Sequence, residues 1–305
     1  MGELSVAERD WIVGLGEVLW DVFPDAACFG GAPANFACHA RALGAAHTAM
    51  VSAVGPTTDP LAEKAIDELR AHGLDTRWIQ RNSNQTGRVF VEIDALGQPS
   101  YRFAAQPAWD WIDWSADLAD LASQTAVVCF GTLAQRNAHS RATIHHFLQQ
   151  VPRTAWRIFD VNLRGDFWTE PVILESLRMA NVLKLNQDEL PIVASACGIV
   201  SQGIDALNAL MRKFALQWIA YTEGSRGATL LHAEDHHFCA APSVAVVDTV
   251  GAGDAYTAAL AIGLLRGWPL ERINALAVEV AGVICTFSGA TPTIPDNLIQ
   301  RFALP

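Results

Sequence analysis

The stretch DTVGAGDAY, residues 248–256, places a glycine-rich turn and a carboxylate at the start of an apolar helical pattern. Glycines allow backbone angles at which successive N–H groups point to one spot, and a helix N-terminus adds its positive end there. Gly251, Ala252 and Gly253 are therefore predicted to form a cradle for an anion, with Asp254 beside it as a candidate base. A cradle for developing negative charge next to a base is what phosphoryl transfer to a hydroxyl group requires.

A structural turn with a helix-capping aspartate is the simpler interpretation of a glycine pair followed by Asp254, because such caps are common. The whole run of residues 248–256 is more specific than that. The chain contains no G-x-x-x-x-G-K-[ST] sequence, so a Walker-type phosphate loop is not predicted.

Composition limits the class of protein. The 305 residues suffice for one large domain or for a domain with a small appendage, and 51% of them are hydrophobic, so a sizeable core is expected. The net charge of −11 argues against nucleic-acid binding, although a helix N-terminus can still bind phosphate locally.

Six cysteines without a C-x-x-C pair are expected to be reduced core residues. No stretch has membrane-spanning length and no charged-then-apolar leader precedes residue 20, so a cytoplasmic protein without a membrane partner is expected.

Short apolar runs alternate along the chain with segments of helical periodicity. This alternation predicts an α/β fold in which helices cover both faces of a mainly parallel sheet. The predicted strands are Trp11–Leu15, Thr48–Val54, Ala126–Phe130, Arg157–Val161, Val182–Leu185 and Trp218–Tyr221. The predicted helices are Phe36–Leu43, Pro60–His72, Ser140–Gln150, Pro171–Met179 and Ile204–Phe214.

One segment breaks the alternation. Residues Gly87–Ile93 and Ser100–Ala104 have period-two patterning and flank a connection that contains Gly97, which predicts a hairpin. A hairpin inserted in such a fold is interpreted as a lid over the active site, and the alternative is an ordinary extension of the sheet edge.

Polar side chains follow several of the predicted strands at the point where each strand ends. In open α/β sheets ligands bind at the carboxyl ends of the parallel strands, so these residues are predicted to line one site. They are Gly16 to Asp21, Gly131 and Thr132, Asn162 and Arg164, Asn186 and Glu189, and Thr222 to Gly224.

Each of these motifs also has a structural interpretation. GGAPAN, residues 30–35, could be a plain helix start, although its glycines admit a ligand and the Asn35 amide can bind two hydroxyl groups. The Arg164 guanidinium suits a carboxylate or hydroxyl groups, or it could pair with Asp160. NQDE, residues 186–189, could be a helix cap or a Mg²⁺ site, and TEGSRG, residues 222–227, could be a simple turn.

The order of GEVLWD (residues 16–21), GGAPAN, DVNLR (160–164), NQDE, TEGSRG and DTVGAGD resembles that of the PfkB (ribokinase-like) sugar kinases. The chain is most similar to the bacterial fructokinases. The resemblance implies one ribokinase-like domain over residues 1–305, with a three-layer α/β/α core and a small β lid at 87–104 with parts of 17–31. It also implies transfer of the γ-phosphoryl group of ATP to a hexose hydroxyl, with fructose the first choice.

The resemblance also implies a role for each site residue. Asp254 would be the base and Gly251–Gly253 the anion hole. The sugar would bind at Asp21, Gly30, Gly31, Asn35 and Arg164. The nucleotide would bind at Asn186, Thr222, Gly224 and Gly227. Glu189 would reach Mg²⁺ through water, and Asp248 with Ser288 would hold a monovalent cation such as K⁺.

The chain departs from the family pattern in one place, because only residues 22–29 separate Asp21 from Gly30. A smaller lid, formed by the hairpin at 87–104, is expected from this, and a homodimer is left open. The alternative acceptors are 2-keto-3-deoxygluconate, another ketose or a nucleoside. The alternative from another class is a non-catalytic sugar-sensing protein on the kinase fold.

Overall fold

The computed structural model describes residues 10–93, 99–233 and 235–303, and the predicted alternation of strands and helices is confirmed there. The strands are β1 (Trp11–Leu15), β2 (Leu19–Val22), β3 (Ala27–Gly30), β4 (His47–Val54), β5 (Ile79–Arg81), β6 (Gly87–Ile93), β7 (Pro99–Phe103), β8 (Thr125–Phe130), β9 (Trp156–Asp160), β10 (Val182–Asn186), β11 (Trp218–Thr222), β12 (Gly227–His232) and β13 (Asp235–Ala240). The α-helices are α1 (Ala32–Ala42), α2 (Pro60–Ala71), α3 (Ala116–Ser123), α4 (Ala138–Gln150), α5 (Glu170–Met179), α6 (Glu189–Ala196), α7 (Gly203–Phe214), α8 (Ala252–Leu265), α9 (Leu270–Ile284) and α10 (Asp296–Ala303).

Nine strands of the described chain form one sheet in the order β13-β12-β11-β10-β9-β8-β1-β4-β5. The pairs from β11 to β5 are parallel, and β12 and β13 add two antiparallel strands at one edge. At the middle of the sheet, Gly14 of β1 stands opposite Met50 and Cys129. A Cβ atom at Gly14 would lie 2.1 Å from the carbonyl oxygen of Pro33, so glycine allows the first turn of α1 to pack against β1.

Helices cover both faces of this sheet, as the three-layer prediction requires. Alternate residues of a strand point to opposite faces, so that Ile12 packs into one apolar cluster and Val13 into the other. The first cluster holds buried residues of α1, α2, α8, α9 and α10, and the second holds those of α3, α4, α5, α6 and α7. Helix α8 is buried from Ala255 to Leu264 and is therefore apolar on every side.

A second, smaller sheet has the order β3-β2-β6-β7. The predicted hairpin supplies β6 and β7, although its connection at residues 94–98 lies outside the described residues. Strands β2 and β3 lie within 17–31, the part of the chain that the family resemblance adds to the lid, so the hairpin does not form this sheet alone. Residues 22–29 suffice for a second hairpin, because the Phe23 N–H donates to the Ala26 carbonyl at 2.8 Å and closes a tight turn between β2 and β3.

The small sheet carries two of the predicted site residues, since Asp21 lies on β2 and Gly30 ends β3. Strand β2 follows β1 after only Gly16, Glu17 and Val18. The small sheet is therefore attached directly to the carboxyl end of a central strand.

All six cysteines lie within the described residues and are free thiols. Cys38, Cys129 and Cys197 are buried, as the core prediction requires, but the prediction is wrong for Cys28, which is exposed on β3. No helix in the described part of the chain is long and apolar enough to cross a membrane.

A stack of charged and aromatic groups joins the small sheet to the core. The guanidinium of Arg136 lies 4.4 Å from the ring centroid of Trp109 and 4.6 Å from that of Phe167, and it pairs with Asp110 at 3.0 Å. Phe167 in turn contacts Phe103 of β7 edge to face, with 5.0 Å between ring centroids. Burial raises the pKa of Asp110, and Arg136 opposes that shift, so the carboxyl group depends on this arginine for its charge.

We expect Arg136→Ala to lower the free energy of unfolding by about 3–5 kcal/mol, because it leaves Asp110 buried without its cation. Urea denaturation measures this loss. Arg153→Ala, at an exposed position, is the matched control and should stay within about 0.5 kcal/mol of wild type. A loss below about 1 kcal/mol in Arg136→Ala would show that the pair does not hold this junction.

Candidate active site

A cavity of about 1290 Å³ lies at the carboxyl ends of the parallel strands, between the large sheet and the small one. It brings together nearly all of the residues singled out from the sequence. Its lining includes Asp21, Gly30, Gly31, Asn35, Arg164, Asn186, Thr222, Gly224, Gly227, Gly251, Ala252, Gly253 and Asp254. Glu189, Asp248 and Ser288 are not among the lining residues.

The glycine-rich turn is fixed by a close contact behind it. Gly251 is the N-cap of α8 with φ +79°, and a Cβ atom there would lie 2.1 Å from the carbonyl oxygen of Ala290. Asp248 holds the same two segments together, because its carboxylate accepts the N–H groups of Val250 at 3.0 Å and of Gly289 at 3.1 Å. The first N–H groups of α8 have no partner within the helix, and the residues that carry them, Ala252 and Gly253, line the cavity.

Asp254 lies in the first turn of α8, and a hydrogen bond joins it to helix α1. Its Oδ2 accepts a hydrogen bond from the Asn35 amide of α1 at 2.8 Å, across 219 positions of sequence. Burial raises the pKa of Asp254 to about 6 and the Asp160 carboxylate adds to this rise, while Asn35, Lys184 and Arg164 oppose it. The helix N-terminus alone predicts an ionised carboxylate. Burial moves its pKa upward, yet the group remains mainly ionised at pH 7.

Beneath the turn lies a buried ion pair that the sequence motifs did not indicate. The Lys184 ammonium of β10 and the Asp160 carboxylate of β9 are 3.0 Å apart, and both side chains are less than 10% exposed. The other oxygen of Asp160 accepts a hydrogen bond from the Thr257 hydroxyl of α8 at 3.2 Å. The pair therefore ties two central strands to the helix that carries Asp254.

This geometry corrects the alternative in which Asp160 pairs with Arg164. Asp160 pairs with Lys184, whereas Arg164 is exposed at the cavity wall and donates a hydrogen bond to the neighbouring Leu163 carbonyl at 3.3 Å. A charged residue within the apolar run VLKLN was the signal for Lys184, because a lysine inside a central strand needs a buried partner.

Glu17 belongs to the segment Gly16–Asp21 that was predicted to line the site, but no role of its own was predicted for it. It follows β1 within GEVLWD, lines the cavity and is 1% exposed. Burial raises its pKa to about 7, where Arg164 favours and Asp254 opposes its ionised form. Asp21 lies on the same side of the cavity, and burial raises its pKa while Arg164 again lowers it. The acceptor side of the cavity is therefore rich in carboxyl groups around one arginine.

Glu189 takes a structural position beside the cavity. Its two oxygens accept the N–H groups of Leu163 at 3.0 Å and Asn186 at 2.8 Å, which joins the segment after β9 to the end of β10. Within the described residues, no group of three or more His, Cys, Asp or Glu side chains could hold a metal ion. The water-mediated metal role of Glu189 stays a prediction, as does the cation site at Asp248 and Ser288.

The far end of the cavity is apolar and carries none of the quoted motifs. Small and branched side chains of the segment before α8 and of α9 form its wall, with Pro242, Val246, Val278, Ala281 and Cys285 among them. A helical or extended apolar pattern in the sequence does not distinguish such a wall from the core, so sequence reasoning missed it.

Residues 27–297 match the pfkB family carbohydrate kinase profile, which is most of the chain. The chain belongs to the pfkB family of carbohydrate kinases. It is 32% identical to a fructokinase of Klebsiella pneumoniae, over 93% of this chain and 95% of the relative. It is 29% identical to a putative sugar kinase of Pyrococcus horikoshii, over 90% of this chain and 86% of the relative.

Solved structures show the same fold. A P. horikoshii sugar kinase in complex with ATP superposes with a TM-score of 0.80 at 28% identity, covering 95% of this chain and 97% of that one. A fructokinase of Xylella fastidiosa with bound ATP gives a TM-score of 0.81 at 22% identity, covering 97% and 100%. The ribokinase-like fold predicted from the sequence is confirmed, and the protein is a sugar kinase, a phosphotransferase.

We expect Lys184→Met to lower the free energy of unfolding by about 3–5 kcal/mol, because Asp160 is then buried without a cation. The double variant Asp160→Asn with Lys184→Met removes both charges and should recover most of this loss. Differential scanning calorimetry of the three proteins measures the effect. Equal melting temperatures for wild type and Lys184→Met would contradict the buried-pair account.

Proposed function

We propose that this sugar kinase transfers the γ-phosphoryl group of ATP to a hydroxyl group of a hexose, with fructose as the favoured acceptor and Asp254 as the base. The hydrogen bond between Asn35 and Asp254 carries the proposal, because it places a hydroxyl-binding amide of α1 beside the carboxylate at the anion-binding turn. The relatives named fructokinase support the choice of fructose.

ATP fits the other end of the cavity. The P. horikoshii relative was solved with ATP, and the apolar wall of Val246, Val278 and Ala281 suits the faces of an adenine ring. Between this wall and Asp254 lie Asn186, Thr222, Gly224 and Gly227, which we assign to the nucleotide. The triphosphate would then end at the N-terminus of α8, where backbone N–H groups favour negative charge.

In the proposed mechanism, the Asp254 carboxylate accepts the proton of the attacking hydroxyl group as its oxygen forms a bond to the γ-phosphorus. The bond from that phosphorus to the bridging oxygen of ADP breaks in the same step. A carboxylate with a pKa of about 6 is a weak base toward an alcohol, so the proton moves late, when the oxygen has become acidic. The N–H groups of Gly251, Ala252 and Gly253 stabilise the charge on the moving phosphoryl group.

Mg²⁺ bound to the phosphates would supply further neutralisation of their charge. Glu189 fits such an ion only at a distance, since both of its oxygens already accept backbone N–H groups and it lies off the cavity wall. We propose that Glu189 contacts Mg²⁺ through a water molecule. We also propose that Asp248 and Ser288 hold a monovalent cation such as K⁺.

The small sheet is proposed to act as a lid. Val89 of β6 and Tyr101 and Phe103 of β7 line the cavity opposite the glycine-rich turn. Movement of this sheet toward the core would exclude water from the transferring phosphoryl group and so suppress ATP hydrolysis.

A specific observation favours a second acceptor. Arg164 is exposed at the cavity wall, which Glu17 and Asp21 also line, and an exposed guanidinium is the preferred partner of a carboxylate. A sugar acid such as 2-keto-3-deoxygluconate is therefore the second candidate acceptor.

Asp254→Asn tests the base, and we expect kcat to fall by about 100- to 10,000-fold while the KM for the sugar changes little. The asparagine keeps its size and can still accept the bond from Asn35, so the loss reports on proton transfer. Release of ADP is measured by a coupled assay with ATP and Mg²⁺ against fructose, ribose, glucose, tagatose, 2-keto-3-deoxygluconate and adenosine. Asp205→Asn, at an exposed position of α7, is the control.

The panel separates the candidate functions. Turnover of fructose that Asp254→Asn abolishes supports both parts of the proposal, and turnover of another sugar alone replaces the acceptor. Near-normal turnover in Asp254→Asn would rule out Asp254 as the base. A protein that binds sugars without turnover would be the non-catalytic sensor.

The pH dependence of kcat/KM provides an independent prediction. Asp254 must be ionised to accept a proton, so we expect kcat/KM to fall about tenfold per pH unit as the pH drops below about 6. Lys184 lowers the pKa of Asp254, so Lys184→Met should move this limb to higher pH. Adding Asp160→Asn should move it back, because Asp160 raises the same pKa. A limb that stays in place in both variants would contradict the assignment.

A further inference from the structure

Glu17 is buried at the acceptor side of the cavity without a role in the mechanism above. It stands between β1 and β2, where the large sheet passes into the small one, and it is 1% exposed while lining the cavity. Its carboxyl group shares the cavity lining with Arg164 and Asp254, and it interacts electrostatically with both.

The hydrogen bonds of this carboxyl group are incomplete. Among the described residues, Glu17 Oε2 is buried without a hydrogen-bond partner, and so is Asn35 Oδ1 close to the same wall. A buried acceptor without a donor destabilises the free protein, and more so when the group is charged. Two such acceptors beside one cavity, next to the guanidinium of Arg164, form a surface that is complementary to hydroxyl groups, which both donate and accept hydrogen bonds.

We propose that Glu17 is a sugar-binding residue whose carboxyl group accepts a hydrogen bond from a hydroxyl group of the acceptor sugar in the cavity that Arg164 and Asp254 also line. This inference rests on the proposed function and extends it from the base to the selection of the acceptor. A site that contains a buried acceptor rejects an analogue that lacks the matching hydroxyl group, because the acceptor then stays unpaired. Glu17 would thus select a hydroxyl group that is not the one phosphorylated.

A structural role is the competing explanation. The backbone N–H of Ala32 lowers the pKa of Glu17, which places the carboxyl group at the start of α1. Gly31, the N-cap of this helix, offers no side chain, so Glu17 could serve as a distant cap. A cap stabilises the fold and has no effect on the KM of a sugar. Removal of a binding group that has no partner in the free enzyme does the reverse: it raises the KM for the sugar and does not lower the stability of the fold.

The experiment compares Glu17→Gln and Glu17→Met with wild type in the coupled ADP-release assay, using D-fructose or the panel sugar that wild type phosphorylates fastest. We expect the KM for the sugar to rise about 10- to 100-fold, the range for a lost hydrogen bond to a charged group, and to rise more in Glu17→Met. The KM for ATP should stay within about twofold, since Glu17 lies at the acceptor side. Glu175→Gln, an exposed position of α5, is the matched control and should change neither constant.

Deoxy analogues identify the contact itself. Wild type should bind one of 1-deoxy-, 3-deoxy- and 4-deoxy-D-fructose about 10- to 100-fold more weakly than fructose by calorimetry, and Glu17→Met should bind that analogue and fructose alike. The melting temperature of Glu17→Gln at neutral pH should equal or exceed that of wild type, because a buried carboxyl group without a full set of partners has been neutralised.

An unchanged KM for the sugar with a lowered melting temperature would overturn the inference in favour of helix capping, while leaving the proposed kinase function intact. A deoxy analogue discriminated equally by wild type and Glu17→Met would overturn it as well. Wild-type protein that neither binds nor phosphorylates any sugar of the panel would overturn the proposed function, and this inference with it.

Discussion

The ion pair between Lys184 and Asp160 is the interaction on which the site depends. It lies under the start of α8, and the second oxygen of Asp160 accepts the Thr257 hydroxyl, so two central strands hold the helix from below. The Ala290 carbonyl packs against Gly251 from the other side and leaves no room for a side chain. The turn before α8 is thus clamped between two contacts. A turn fixed in this way can present N–H groups to a phosphoryl group without reorganising during the reaction.

The same pair also governs the charge of the proposed base. Burial alone would push Asp254 toward its neutral form, and Asp160 pushes in the same direction. Lys184, Arg164 and the Asn35 amide oppose both effects and hold the pKa at about 6. A carboxyl group in this range is ionised at neutral pH, but it gains more from accepting a proton than a solvated aspartate does. Structural support and acid–base tuning therefore come from one set of buried charges, and a change in either affects the other.

How far the sequence alone predicts this molecule depends on the range of the interactions. Local patterns located the strands and helices, and the run from Gly251 to Asp254 identified the turn that lines the cavity, because turn chemistry and helix starts are local properties. The pairing of Asp160 with Lys184 rather than with Arg164 needed the neighbouring strands, since the two partners are 24 positions apart. The strands β2 and β3, which overlap the two ends of residues 22–29, could not be located from the sequence because four-residue strands have too little periodicity to stand out. Glu17 lies in the segment Gly16–Asp21 that was predicted to line the site, but its burial was not predicted, because nothing in a sequence shows that a glutamate is buried.

The acidity of the chain and the proposed binding of a polyanionic nucleotide are compatible because the two act over different distances. The net charge of −11 is distributed over a surface in contact with water, where salt screens each charge within about 8 Å. The cavity floor carries instead the buried pair of Lys184 with Asp160 and the first N–H groups of α8 on a half-buried turn, where charges are screened less than on the open surface. A negative net charge therefore argues against a partner such as nucleic acid, which is recognised over a wide surface. It says little about the proposed binding of phosphate groups by a few N–H dipoles at the start of one helix.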